Sequence, residues 1–204
     1  MRIQYKYPQL YQFLIPLLHR RAVLKRFSEE VGQDVTVFDV GAGFGQMARY
    51  LDSSTSYYGI DLNQKFVEFG RRKQRDLAVK DIFDPAAYRQ SDVIIVVDII
   101  HHLPPEKLPE LFELIFANAT QRVVILEPAF LNLGKKYGVL GSAVDWVFKK
   151  LDDDGINTIE HWMSENEYAT LFENRFSTTG SKRFGLKVQK IYPYFLVTFE
   201  RKSR

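Results

Sequence analysis

The sequence predicts an α/β fold, a mostly parallel sheet with helices on both faces. Two observations carry that prediction. Short, almost wholly apolar runs alternate with helical patterns, and strands apolar throughout are those covered on both sides. The first run also ends in a glycine-rich bend, Gly41-Ala42-Gly43-Phe44-Gly45, directly before a helical segment. A strand–turn–helix junction of this kind places backbone amides around a ligand.

The elements follow in order. Residues 7–27 place Tyr7, Leu10, Tyr11, Leu14, Leu17, Leu18, Leu24 and Phe27 near helical spacing, with Pro16 dividing or kinking the helix. The strands are Val35–Val40, Tyr57–Ile60, Asp92–Val97 and Arg122–Leu126, with Leu77–Val79 a weaker candidate. Between them, helices are expected over Gln46–Leu51, Gln64–Arg72 and Glu106–Asn118. The last begins after Pro104-Pro105 and carries Leu108, Leu111, Phe112, Ile115 and Phe116 on one stripe. A final strand is expected at Phe195–Glu200, with a partner near Ser177–Phe184. Residues 129–175 fall outside the alternation. Tyr137, Leu140, Val144, Val147, Phe148 and Leu151 mark one helix there, and Ser164 with Glu167 forms a capping box for another. This segment and the N-terminal helix (residues 1–30) cover core, roof a substrate pocket, or do both.

Composition narrows the function classes. The 204 residues are 46% hydrophobic and 26% charged, ordinary for one globular domain and too apolar for a disordered chain. No Cys is present, which removes disulfides, thiolate metal ligands and cysteine nucleophiles and suits a reducing cytoplasm. With four His and no Cys, no metal site is expected. No apolar run approaches the ~20 residues of a bilayer span. Gln12 and Pro16 interrupt the N-terminal apolar stretch and no small-residue cleavage site follows, so a signal peptide is not expected. The net charge of +3 is unevenly spread: +4 over residues 1–30, +6 over 180–204 and −7 between them. Basic ends on an acidic body either steer an anionic partner or are solvated faces, and the acidic body argues against nucleic acid.

The chemistry concentrates around the bend. Asp61 closes the second strand, 20 residues beyond Gly41. That is the spacing at which a carboxylate accepts hydrogen bonds from ribose hydroxyls, the alternative being a helix N-cap. Gln46 stands where the dinucleotide pattern G-x-G-x-x-G wants a third glycine, which supports a nucleoside with a short charged tail over a pyrophosphate.

Four segments in this order, Asp39–Gly45 (DVGAGFG), Gly59–Asp61 (GID), Lys80-Asp81-Ile82 and Asp98–Pro104 (DIIHHLP), resemble the motifs of S-adenosylmethionine-dependent methyltransferases with a Rossmann-like fold, of the small-molecule type. The resemblance covers about residues 35–127. It implies a seven-stranded sheet with a C-terminal antiparallel strand pair and S-adenosylmethionine as cofactor. By position, Gly41, Ala42, Gly43 and Gly45 would line the methionine part and ribose, and Asp39 would orient the amino group. Asp61 and Leu62 would meet the ribose side, and Asp81 with Ile82 the adenine, unless Asp81 is a solvated loop acid. Asp98 and Ile99 would lie beside the methionine end.

Direct displacement of an activated methyl needs alignment more than a catalytic group, but a hydroxyl acceptor benefits from a base. His101 and His102 stand at the carboxyl end of the fourth strand, and Glu127 ends the next. Some small-molecule O-methyltransferases have a similar HHxP loop, which implies a base oriented by Glu127. The alternative is that either histidine packs against the following helix and supports the loop. Asp152-Asp153-Asp154-Gly155 lacks the spaced ligands of a calcium loop and reads as a turn. His161 and Trp162 either touch substrate or pack, and Phe130, Leu131, Leu133, Trp146 and Phe148 suggest a small, partly hydrophobic acceptor. Expected, then, is a single-domain cytoplasmic methyltransferase, monomer or homodimer, acting on a small molecule, with no nucleic-acid partner and no membrane span. An NAD(P)-binding oxidoreductase and a non-catalytic methyltransferase-like partner protein remain the alternatives.

Overall fold

The computed structural model describes residues 21–128, 170–172, 183–191 and 194–202. Among them, the chain runs α1 (Arg21–Val31), β1 (Thr36–Val40), β2 (Ser56–Asp61), α2 (Gln64–Arg72), β3 (Leu77–Val79), β4 (Ser91–Val97), α3 (Leu108–Asn118), β5 (Ala119–Pro128), β6 (Phe184–Ile191) and β7 (Tyr194–Arg201), with short 3-10 turns between. One seven-stranded sheet has the order β3-β2-β1-β4-β5-β7-β6. The pairs from β3 to β5 are parallel, and β7 runs antiparallel to both β5 and β6.

The apolar runs become central strands because successive side chains serve opposite faces. Ile94, Val96, Val123 and Ile125 pack with Leu111, Phe112 and Ile115 of α3 on one side. Val93, Ile95, Val124 and Leu126 pack with Val23, Leu24, Phe27 and Val31 of α1 on the other. The strand order reverses direction at β1 and β4, so the loops following these two strands diverge and leave a crevice at their carboxyl ends.

Four expectations are refined. Gln46–Tyr50 is a 3-10 helix, not an α-helix. Gly45 at φ 71 precedes it and Leu51 is already extended, which leaves room for little more than one turn. The helix expected from Glu106 starts instead at Leu108, after a 3-10 turn over Pro105–Lys107, with Pro109 taking a first-turn place where its missing N–H costs nothing. The described part of the N-terminal helix continues past Phe27 to Val31. The partner of β7 is Phe184–Ile191, so the predicted partner strand shares only Phe184 with it. As an edge strand, β6 alternates half-covered apolar residues with Lys187, Gln189 and exposed Lys190, which masks its period in the sequence. Glu30 of α1 ties down this edge, accepting from Lys187, Gln189 and Thr198. Part of the basic C-terminal charge is thus spent on an internal ion pair.

Residues 1–20 and 129–169 lie outside the described residues, and with them Phe130, Leu131, Leu133, Trp146, Phe148, the Asp152–Asp154 run, His161 and Trp162.

Candidate active site

The site is built from backbone on one side and buried side chains on the other. On the β1–β2 side, Gly41, Gly43 and Gly45 all take left-handed φ values of 73, 56 and 71, a region closed to most other residues. The bend is tied back to β2 by Ala42 N donating to Ile60 O at 2.8 Å. Gly41 has a second requirement: an added Cβ would lie 2.3 Å from Ile99 Cδ1, so its bare Cα serves the protein's own packing. Gly43 differs, since a Cβ there would meet only Phe66 at 3.7 Å.

Asp61 binds the bend directly. Its Oδ2 accepts from Gly43 N and its Oδ1 from Asn63 N, each at 2.7 Å. The N-cap of α2 is Asn63, whose side chain accepts from Lys65 N and Phe66 N. The capping alternative for Asp61 therefore passes to its neighbour. The carboxylate is half-buried, and each of its oxygens accepts a backbone amide at the mouth of the bend. Leu62 beside it is 55% exposed, unusual for a large apolar residue next to a binding turn. Lys80 N donates to Asp61 O, which brings the Asp81–Ile82 segment alongside. Ile82 is half-buried against the α3-side core. Asp81 is exposed, and its Oδ1 closes a local turn onto Phe83 N at 2.9 Å.

Asp39 lies not in the loop but inside β1, buried. Tyr57 Oη donates to its Oδ2 at 2.6 Å. Burial pushes the Asp39 carboxyl up to about 7; the Tyr57 hydrogen bond opposes the shift and the nearby Asp61 charge adds to it. Burial also raises the Tyr57 phenol well above its ordinary range, with the Asp39 charge second. Sequence reasoning missed Tyr57. Its signal was Gly59, the register partner of Asp39, two residues on: a Cβ at Gly59 would sit 3.0 Å from the Tyr57 hydroxyl and 2.6 Å from Ala42 Cβ.

On the β4–β5 side, Asp98 takes φ 54, costly for a non-glycine residue, and its amide donates to Leu126 O at 3.0 Å. Glu127 Oε1 accepts from Ile99 N at 2.7 Å and Ile100 N at 2.8 Å. Glu127 Oε2 lies 2.7 Å from His101 Nδ1, with both side chains almost completely enclosed. His102 is half-buried, its ring centroid 4.1 Å from that of His101. The structure thus joins His101 to Glu127, joins Asp61 to the bend, and seats Ile99 between the two sides. No group of three or more potential metal ligands occurs among the described residues, and none of their helices is long and apolar enough to cross a membrane.

Residues 37–120 match the family model described as a methyltransferase domain. That span holds the glycine bend, Asp61, Asp81 and the Asp98–His102 loop. No curated protein sequence matches it. Among solved structures, it is similar to magnesium protoporphyrin IX methyltransferase from Synechocystis PCC 6803 with bound SAH, at 18% identity and a TM-score of 0.60, covering 89% of this chain and 81% of that one. It is similar to human N-acetylserotonin methyltransferase in complex with SAM at 17% identity and a TM-score of 0.64, covering 98% of this chain and 58% of that one. A TehB-like SAM-dependent methyltransferase from Corynebacterium glutamicum aligns at 14% identity and a TM-score of 0.61, covering 97% of each chain. These likenesses show the fold. Within it, the glycine bend, Asp61 and the Asp98–His102 loop stand around one crevice.

Proposed function

We propose that the chain is an S-adenosylmethionine-dependent methyltransferase acting on a small molecule, with a hydroxyl oxygen as acceptor. The observation that carries the reading is the Asp61–Gly43 contact: a half-buried carboxylate fastened to a glycine-rich bend at the carboxyl ends of β1 and β2. Such a donor and acceptor set fits a nucleoside. Gly41, Ala42, Gly43 and Gly45 would hold the amino-acid end and ribose, Asp61 and Leu62 the ribose side, Asp81 and Ile82 the adenine, and Asp98 and Ile99 the sulfur end. Asp39 acts from beneath the bend. S-adenosylmethionine supplies an activated methyl on a sulfonium. The solved relatives with bound cofactor and small-molecule names support this class of reaction.

The oxygen acceptor is supported by the buried His101–Glu127 pair. A carboxylate accepting Nδ1–H leaves the lone pair on His101 Nε2, where it can take a proton from an attacking hydroxyl. His102, its ring tilted beside that of His101, is the second candidate base. We take residues 1–204 as one domain.

Calorimetric titration with S-adenosylhomocysteine, and separately with NADH, tests the cofactor. Binding of the first alone is expected; binding of NADH alone would replace this reading with a dehydrogenase. Mass-spectrometric detection of methylated products from panels of phenols, carboxylic acids and amines tests the acceptor. Turnover of phenols that falls ~100-fold in His101→Ala is expected. Methylation confined to amines, or full turnover in both His101→Ala and His102→Ala, contradicts the oxygen assignment.

A further inference from the structure

The loop after β4 holds a conformation that is unfavourable by itself. Asp98 stands in the left-handed region at φ 54, which costs a non-glycine residue about 1 kcal/mol or more. The amides of Ile99 and Ile100 leave the sheet ladder and turn toward β5. Both are received by one oxygen of Glu127, at 2.7 and 2.8 Å, while the other oxygen faces His101 Nδ1 at 2.7 Å. With the loop so held, Ile99 packs on the bare Cα of Gly41, across the crevice.

We propose that Glu127 has an output besides the orientation of His101 described above: the first, new output is that Oε1 fixes the loop that seats Ile99 against the glycine bend, and the second, through Oε2, is the His101 tautomer. The second output rests on the methyltransferase reading for its use; the first does not. The hydrogen-bond inventory separates them. An ionised carboxylate only accepts, so in that form Glu127 receives the two amides at Oε1 and the proton of His101 Nδ1–H at Oε2. Glutamine at this position has one accepting and one donating end. Its carbonyl must face the two amides, because its NH2 group cannot accept from them. The NH2 then faces His101, whose Nδ1 has to accept, and the ring proton moves to Nε2. Alanine removes both outputs and leaves two buried amides to find other partners.

The experiment compares the full chain with Glu127→Gln and Glu127→Ala, using S-adenosylhomocysteine titration, amide hydrogen exchange at Ile99 and Ile100, and nitrogen-15 shifts of the His101 ring. Glu127→Gln should bind S-adenosylhomocysteine within about threefold of the parent and keep slow exchange, since its carbonyl still accepts both amides. Its His101 ring should switch from the Nδ1–H to the Nε2–H form. Glu127→Ala should exchange faster at both amides and bind at least ~10-fold more weakly. Parent-like exchange and affinity in Glu127→Ala overturn the first output. An unchanged His101 tautomer in Glu127→Gln overturns the second. If the parent protein binds no S-adenosylhomocysteine, the methyltransferase reading falls, and exchange and ring shifts still judge Glu127.

Discussion

Two carboxylates do the same structural work on opposite sides of the crevice, and they differ in how far each is enclosed. Asp61, ending β2, catches the amide of Gly43 in the loop after β1. Glu127, near the end of β5, catches the amides of Ile99 and Ile100 in the loop after β4. In each case, a strand-end acid fixes the backbone of the loop beside it, a device that a parallel sheet allows because adjacent strands end at the same level. The environments differ. Asp61 is half-buried, beside an exposed Leu62, whereas Glu127 is fully enclosed with each oxygen engaged inside the protein. A partly open acid is accessible to a ligand, whereas an enclosed one acts on the protein's own loop. Removing the first should therefore be read mainly in affinity, and removing the second mainly in stability and loop order.

The largest effect is expected where the two sides meet. Gly41→Ala combines a left-handed backbone angle with a Cβ 2.3 Å from Ile99, and should cost on the order of 3 kcal/mol of stability and most cofactor affinity. Urea unfolding and S-adenosylhomocysteine titration measure the two losses; a parent-like protein would mean that the sides do not touch. Next, Glu127→Ala should lose roughly 3 kcal/mol of stability, since it strands a buried histidine and two amides. Asp61→Ala should lose only about 1 kcal/mol while its affinity for S-adenosylhomocysteine drops more than ~10-fold. Equal stability losses in the two variants would erase the contrast between them.

Asp39 sharpens the comparison through pH. Its folded-state carboxyl is raised to about 7 from 3.8. The folded protein therefore holds a proton that the unfolded chain has released. This contribution is fully present below the unfolded value and is lost as pH rises through about 7. Asp39→Asn removes that titration while its amide oxygen still accepts from Tyr57. Relative to the parent, the variant should gain roughly 2–4 kcal/mol on going from about pH 4 to about pH 8 in urea unfolding. Parallel pH profiles would refute the burial of an isolated proton at this position. The smallest effect is expected at Leu62→Ala: unfolding within about 0.5 kcal/mol of the parent, and affinity for S-adenosylhomocysteine down a few-fold.

The sequence made one side of the crevice far more legible than the other. β1, β4 and β5 are nearly pure apolar runs, so their burial on both faces could be read directly, and the glycine bend with Asp61 followed from local order and spacing. The His101–Glu127 contact was within reach because His101 follows β4 and Glu127 lies near the end of the neighbouring β5. Its second half was not: that Glu127 also receives the Ile99 and Ile100 amides depends on the β4–β5 register and on the left-handed turn at Asp98, neither of which has a local signature. Tyr57 was missed for a related reason, since its partner Asp39 lies on another strand. β6 was misplaced because an edge strand needs apolar residues on only part of one face, and its lysines read as loop.

The central claim is that the crevice between the glycine bend and the Asp98–His102 loop holds an adenosyl ligand. A crystal structure with S-adenosylhomocysteine tests it most directly. The account predicts ribose hydroxyls within hydrogen-bond distance of the Asp61 carboxylate and the sulfur on the Ile99 side of Gly41. A ligand seated elsewhere, or a crevice that stays closed at saturating ligand, would contradict it.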